Sequence, residues 1–484
     1  MFRTAAAPSH MRLVPIVTAL AVFLLACAPS AAPSPTAKPA EPAKPAAPAA
    51  APASPAAAAA SPAAAAASPV AAASPAAAAS PAASPAASPA ASPAAAAPAA
   101  APAAAKPSGT APASIKIGAV VPITGRYAAG GEQIKNGYEL AVEDVNTAGG
   151  VMVRDLGVKV PLELRLLDDE SDPTKTVQRL ETHATEGVLA YLGGFGSDLH
   201  AAAAAIADKN KTPYIGVAFA LQQVHDRGLK YLFSPFPKSP SLAVSSFDIM
   251  DSLSPKPTKV AIFAEKTDWG AELKALWKTE AQKRGYQIVT DEEYAPGARD
   301  FAPMILNAKS AGAEAVLALP NPPDGMAIVK QMKELDFTPA FSYMVRAPDT
   351  LGWSQNLMKD GDYVLLAPGW SPDMKFPGVQ ELKQRHQAKY NKSAEAVTGA
   401  AYAAVQVLAN GIERAGKLDR DALRDGIAAA DLMTVMGPVT FNPDGTGKVI
   451  AIANQWQDGK QVLVWPKDQA VGPLLYPAKS FRER

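Results

Sequence analysis

The 484-residue chain contains one cysteine, Cys27, so it can close no internal disulfide. Its five histidines, among them His183, His200, His225 and His386, fall in no metal-ligand spacing and in no order typical of a nucleophile–histidine triad. No Gly-rich Walker loop is present, and Gly193-Gly194-Phe195-Gly196 lacks the spacing of a dinucleotide fingerprint. Charge of neither sign dominates. After Arg3, Arg12, Lys38, Lys44, Lys106 and Glu41 are set aside, residues 114–484 carry 41 basic and 44 acidic groups, a net of −3. That balance offers no basic field to collect phosphates and argues against a nucleic-acid partner. The acidic clusters Asp168-Asp169-Glu170 and Glu292-Glu293 read as solvated turns rather than metal sites.

What is present divides unevenly. Arg3 and Arg12 precede an apolar stretch, Leu13 to Ala26, whose 14 residues are short for a bilayer span and suit the core of a signal peptide. Either Met1 or Met11 can be the start. The stretch ends in Leu24-Leu25-Ala26-Cys27, which resembles the lipobox of bacterial lipoproteins. That resemblance implies cleavage after residue 26 and a lipidated Cys27 as the mature terminus, with a plain secretion signal or a retained anchor as alternatives. Residues 27–113 are then a lipidated cysteine followed by a disordered tether of Ala, Pro and Ser. Recurrent proline blocks continuous helix, and the small side chains supply too little apolar area for a core. Ala28 to Ala113 would reach roughly 270 Å at most, if fully in the polyproline conformation.

From residue 114 the composition is that of an ordinary globular block, large enough for two domains. Short apolar runs alternate with helical periodicity: Ile115–Val121, Leu162–Leu167, Val188–Leu192 and Tyr214–Val217, then Lys259–Phe263, Tyr286–Thr290, Ala315–Leu319 and Phe341–Met344. Helices are expected between them, for example over 133–145, 173–183, 271–284 and 325–335. The rhythm predicts an α/β fold of two lobes, each a parallel sheet covered by helices. A helical stretch over 379–390 and 395–415, a turn or linker at 436–439, and strands over 449–456 and 462–465 follow. In such sheets small molecules bind beyond the carboxyl ends of the strands. Ser197 and Val217–Ala220 stand at such ends. Ser197 also fits a plain helix-capping role.

The opening KIGAVVPITGRYAAGGEQIKNGYELAVEDVNTAGGV, with Leu192–Asp198, Lys211–Val217, Lys266–Gly270, Pro323–Phe337 and Phe441–Gly447, resembles the type I periplasmic binding proteins of branched-chain amino acid uptake. The resemblance covers about residues 115–465. It implies two Rossmann-like lobes joined by a multi-crossover hinge: 114–237 with 363–437, and 238–362 with 438–484. It also implies an extracytoplasmic, membrane-anchored monomer that captures a small ligand with an acid group and delivers it to an ABC permease. No cofactor, metal or enzymatic turnover is implied, and a sensing receptor without transport would use the same pocket.

Carried over residue by residue, the resemblance puts the ligand's carboxylate at Ser197, with backbone N–H groups of Gly196 and Asp198. It puts Ala218, Phe219 and Ala220 along one wall, with Ala220 where the family carries a threonine hydroxyl. Trp269 takes the place of a covering tyrosine, and Asp324 that of an acidic residue holding an ammonium. Gly130 leaves room where the family has bulk. Tyr127, Arg126 and Arg346 are candidates for the cleft rim. Loss of the hydroxyl at Ala220 and the large face of Trp269 favour an acid with an apolar or aromatic body. Asp324 argues for an amino group unless it merely caps its helix, and Trp269 could instead be a hinge-side packing residue.

Overall fold

The computed structural model describes residues 110–484. The expected signal peptide, Cys27 and nearly all of the expected tether lie outside the described residues.

The first lobe opens with β1 (Ile115–Val121), α1 (Ala128–Thr147), the hairpin β2 (Val151–Val153) and β3 (Val158–Val160), and β4 (Leu162–Asp168). It continues with α2 (Pro173–Thr185), β5 (Ala190–Leu192), α3 (Ser197–Lys209), β6 (Tyr214–Ile215), α4 (Gln223–Asp226) and β7 (Leu232–Phe233). The second lobe holds α5 (Ser239–Asp251), β8 (Lys259–Glu265), α6 (Asp268–Arg284), β9 (Gln287–Tyr294), α7 (Ala302–Ser310), β10 (Ala315–Ala318), α8 (Pro322–Glu334), β11 (Phe341–Met344), α9 (Gly352–Leu357) and β12 (Val364–Leu366). The chain then returns as α10 (Val379–Tyr390), α11 (Thr398–Ala415), α12 (Arg420–Ala428) and the hairpin β13 (Asp431–Thr434) and β14 (Gly437–Thr440). It ends with β15 (Ala453–Gln457) and β16 (Lys460–Trp465).

Two sheets result. The first is parallel, in the order β4-β1-β5-β6-β7. The second runs β16-β15-β12-β11-β10-β8-β9, parallel from β12 to β9, with β15 and β16 joining antiparallel at one edge. The α/β reading therefore holds, for a physical reason. β1, β5, β8 and β10 are buried almost throughout, so both faces must be covered by helices. Ile117, Ala119 and Val121 of β1 join Val405, Leu408 and Ile412 of α11 in one core, which ties the returning helices to the first lobe.

Local signals set several helix starts. Asp172 accepts hydrogen bonds from the N–H groups of Thr174 and Lys175, and Pro173 opens α2 with its fixed φ. Asn321 caps α8 in the same manner, ahead of Pro322. Thr267 caps α6 by accepting from Gly270 N–H at 3.0 Å.

Three expectations need correction. Strand 364–366 was placed with the first lobe, but it pairs with β11 and β15 in the second sheet, so the return crossing begins after Leu366. The stretch 436–439, read as a turn or linker, holds the end of a tight turn at Met436 and then the arm β14 of the β13–β14 hairpin. The final strand pair starts at Ala453 rather than at 449. The C-terminal tail packs along the second lobe, where Arg484 donates to the carbonyls of Asp360 and Asp362 at 2.7 and 3.0 Å.

Candidate functional site

The cleft lies at the carboxyl ends of both sheets. On the first-lobe side, β5 ends in the turn Gly193–Gly196, whose glycines lie against the end of β1 and against Tyr127 and lead into α3. Gly196 sits at φ +107°, and a Cβ there would stand 2.6 Å from the Tyr127 ring. This conformation and this approach both demand glycine.

Gly196, not Ser197, is the N-cap of α3, and no side chain caps the helix. The capping role open to Ser197 is therefore not the one it plays. Its hydroxyl has no hydrogen-bond partner among the described residues, and it lines the cavity. The Gly196 N–H, expected to face a ligand, is taken by the Ala218 carbonyl at 3.1 Å. Asp198, in the first turn of α3, accepts from Tyr127 Oη at 3.2 Å and is ion-paired with Arg126.

Ala218, Phe219 and Ala220 form a wall of the cavity. Their carbonyls are occupied. Ala220 C=O accepts from both the N–H and the hydroxyl of Ser239, at 2.8 and 2.9 Å. Phe219 C=O accepts from Lys238 Nζ at 2.8 Å. Lys238 is buried, reaches Ser234 Oγ at 2.8 Å and stands 3.5 Å above the Phe219 ring centre. Burial holds its pKa well below the usual lysine value, with Glu272 and Asp444 acting weakly in the other direction. The Phe219 ring also stacks between His200 and His225, whose pKa values burial pushes down to about 3.

Trp269 opens α6, donates from Nε1 to Ser239 Oγ at 3.1 Å, and is only 6% exposed. It borders two chambers that also share Ser197 and Arg346. The first encloses about 350 Å³ of empty space, mouth included, with Phe195, Phe236, Leu242 and Val345 as apolar walls. The second, about 340 Å³, is more polar and is bordered by Tyr127, Asp198, Glu265 and Thr267.

Arg346, expected at the rim, lies at the centre. Its guanidinium pairs with Glu265 at 2.7 Å, and both side chains are buried, at 7% and 2% exposure. Glu265 is further fixed by the Asn321 N–H at 2.7 Å and its Nδ2 at 2.9 Å. Arg346 lies 5.0 Å from the Trp269 ring centre and 5.3 Å from that of Tyr127, across the cleft. Burial alone would lower its pKa, but Glu265 and Tyr127 more than offset this, so the charge is firmly held. Burial also pushes the Tyr127 phenol up to about 12. Asp349, three residues on and not expected from the sequence, borders the same chamber; burial pushes its carboxyl well up, and Arg346 only partly counters this.

Three expected residues border neither chamber: Gly130, Asp324 and Arg126, the last ion-paired with Asp198. The space above Gly130 is filled by the Phe195 ring, which a Cβ would meet at 2.4 Å, so this glycine makes room for a neighbour and not for a ligand. Asp324 is buried behind the cleft. It accepts from Asn321 Nδ2 at 2.6 Å and from the Gly297 N–H at 2.9 Å, and the N-cap role belongs to Asn321. Arg346 follows a strand end by two residues, which is the signal that would have moved it inward from the rim.

Two α/β lobes that meet over a small central cavity, with the chain passing between them more than once, define a bilobed ligand-binding protein. A sequence profile described as periplasmic binding protein matches residues 114–460. The chain belongs to that family. It is 26% identical over 388 residues to the Leu/Ile/Val-binding protein homolog 8 of Brucella abortus, covering 75% of this chain and 93% of that protein. Among solved structures it is similar to a leucine binding protein of Thermotoga maritima, with a TM-score of 0.66 and 22% identity over 72% of this chain and 97% of the other. It is likewise similar to a solute binding protein from R. palustris in complex with benzoate, with a TM-score of 0.64 and 20% identity over 72% and 95%. The protein is an extracytoplasmic solute-binding component that serves an ABC permease.

Proposed function

We propose that the solute is a small carboxylate with an apolar or aromatic body and no amino group. The observation that carries this reading is the occupancy of the backbone acceptors. The carbonyls of Ala218, Phe219 and Ala220 are all bonded within the protein, and the ammonium on Phe219 is the chain's own Lys238. A ligand ammonium would have to share carbonyls that each already hold a donor, which leaves it poorly compensated for its lost water. Asp324 is equally committed elsewhere. An acid group, by contrast, finds the unoccupied Ser197 hydroxyl, the N–H groups that open α3, and the Arg346 charge. The apolar walls and the Trp269 face suit a ring or branched chain. The two structural relatives, a leucine binding protein and a benzoate complex, share this fold, so the choice of ligand rests on these residues.

Calorimetric titration with leucine, benzoate, phenylacetate and 4-methylpentanoate is expected to give one-to-one binding of an acid without an amino group, and weaker or no binding of leucine. Ser197→Ala should weaken the bound acid about tenfold, the value of one hydrogen bond to a charged group. Leucine binding best, or unchanged affinity in Ser197→Ala, would refute the reading.

We further propose that Cys27 carries the lipid anchor, because the only cysteine stands where the apolar leader stops. In cells, Cys27→Ser should move the protein from the membrane fraction to the soluble one. Unchanged membrane retention would exclude the anchor.

A further inference from the structure

Two polar atoms of residues that border the first chamber have no partner among the described residues. Asp349 is 4% exposed and borders the cavity, and its Oδ1 has no hydrogen-bond partner among the described residues. Arg346 spends its Nη2 on Glu265, but its buried Nε is also without a partner. The two residues share one short turn, closed by the Asp349 N–H donating to the Arg346 carbonyl at 3.1 Å. That turn is braced from the first lobe, where Gln133 Nε2 reaches the Asp349 carbonyl at 3.5 Å. A buried acceptor and a buried donor left unpaired in one wall are costly, and proteins seldom keep such groups without a use.

We infer that Asp349 and Arg346 Nε form a subsite for a hydroxyl group of the ligand, so that the preferred solute is a hydroxy-substituted acid bound with its carboxylate toward Ser197. The inference rests on the carboxylate reading above. A hydroxyl matches both unpaired groups at once, since it accepts from Arg346 Nε and donates to Asp349 Oδ1. An ammonium has no lone pair to accept with and would stand beside the guanidinium charge. A plain apolar substituent would leave both groups unsatisfied. The charged groups that face Asp349 are Arg346 and Glu395, of opposite sign; burial pushes the carboxyl up and Arg346 partly counters this. The arrangement has a mechanical consequence. Ser197 belongs to the first lobe and Asp349 to the second, so a ligand held at both ends would span the cleft and favour the closed pair of lobes.

Matched ligands test this directly. Affinities of the purified protein for benzoate, 3-hydroxybenzoate and 4-hydroxybenzoate are compared, together with 4-methylpentanoate, its 2-hydroxy derivative and leucine. In at least one set the hydroxyl should tighten binding about tenfold over the parent acid. Asp349→Asn, neutral and nearly isosteric, should fold as the parent protein does and keep that preference. Asp349→Ala should reduce it to within about twofold, read as the ratio of hydroxy acid to parent acid in the same variant. The subsite is overturned if no hydroxy acid exceeds its parent, if the gain survives Asp349→Ala, or if leucine binds best and Asp349→Asn abolishes it. If acids bind but the hydroxyl brings nothing, the subsite alone falls. If no acid binds, the carboxylate reading falls with it.

Discussion

Arg346→Met should lower the free energy of unfolding by about 3–5 kcal/mol, and adding Glu265→Gln should recover most of that loss. The pair is buried to a few per cent on both sides, so removing one charge leaves the other stranded in a low-dielectric interior. Glu265 cannot easily escape its position, because Asn321 holds it through two hydrogen bonds. A glutamine there keeps an acceptor for Asn321 and carries no charge, which is why the double variant should fold. The double variant then separates the two duties of Arg346. If the guanidinium also balances the charge of a bound acid, the stable double variant should still bind that acid about 100-fold more weakly than the parent. Chemical denaturation gives the first quantity and calorimetric titration the second. Restored stability together with unchanged acid affinity would confine Arg346 to a structural role.

The division between what could and could not be read from the chain follows from range. The α/β alternation was legible because strands covered on both faces read as short apolar runs with turn residues after them, as in β1, β8 and β10. The β13–β14 hairpin was not, since its four-residue arms are only partly buried and one carries Pro438. In the cleft, Ser197 and Trp269 could be named because each follows a strand end. The two carboxylates of the second lobe could not be sorted. Asp324 and Asp349 both lie beyond strand ends, and only the bonds that Asp324 makes to nearby Asn321 and to distant Gly297 show that it is spoken for. Gly130 failed for the same reason: the ring that fills its space is Phe195, 65 positions away. The capture of the Phe219 carbonyl by Lys238 is likewise a fact of packing at the crossing, invisible to periodicity.

Glu395→Gln should stabilise the protein at alkaline pH, with little effect near pH 5. Glu395 stands ahead of α11 in the first lobe, and its carboxylate reaches across to the second, accepting from the Leu351 N–H at 2.6 Å. Gln133 Nε2 lies 3.5 Å away. Burial pushes its pKa up from 4.5 to about 7, and Leu351 only partly opposes this; Glu132 adds to the rise and Lys392 subtracts from it. A raised carboxyl pKa means that the folded protein holds the proton more tightly than the unfolded chain. The favourable contribution is therefore complete below about pH 4.5 and is lost as the pH climbs to about 7. Above that, keeping this site ionised costs about 3 kcal/mol relative to acid conditions. Glutamine keeps an acceptor for Leu351 and never ionises, so the gain of the variant over the parent should grow from near zero at pH 5 to about 3 kcal/mol at pH 8. Asp169, pushed up to about 6 by burial, titrates in the same window, but it does so in both proteins and cancels from the difference. Urea unfolding of the two proteins from pH 5 to 8.5 measures that difference. A gap that stays constant across the range would mean that the Glu395 carboxyl is not held neutral between the lobes.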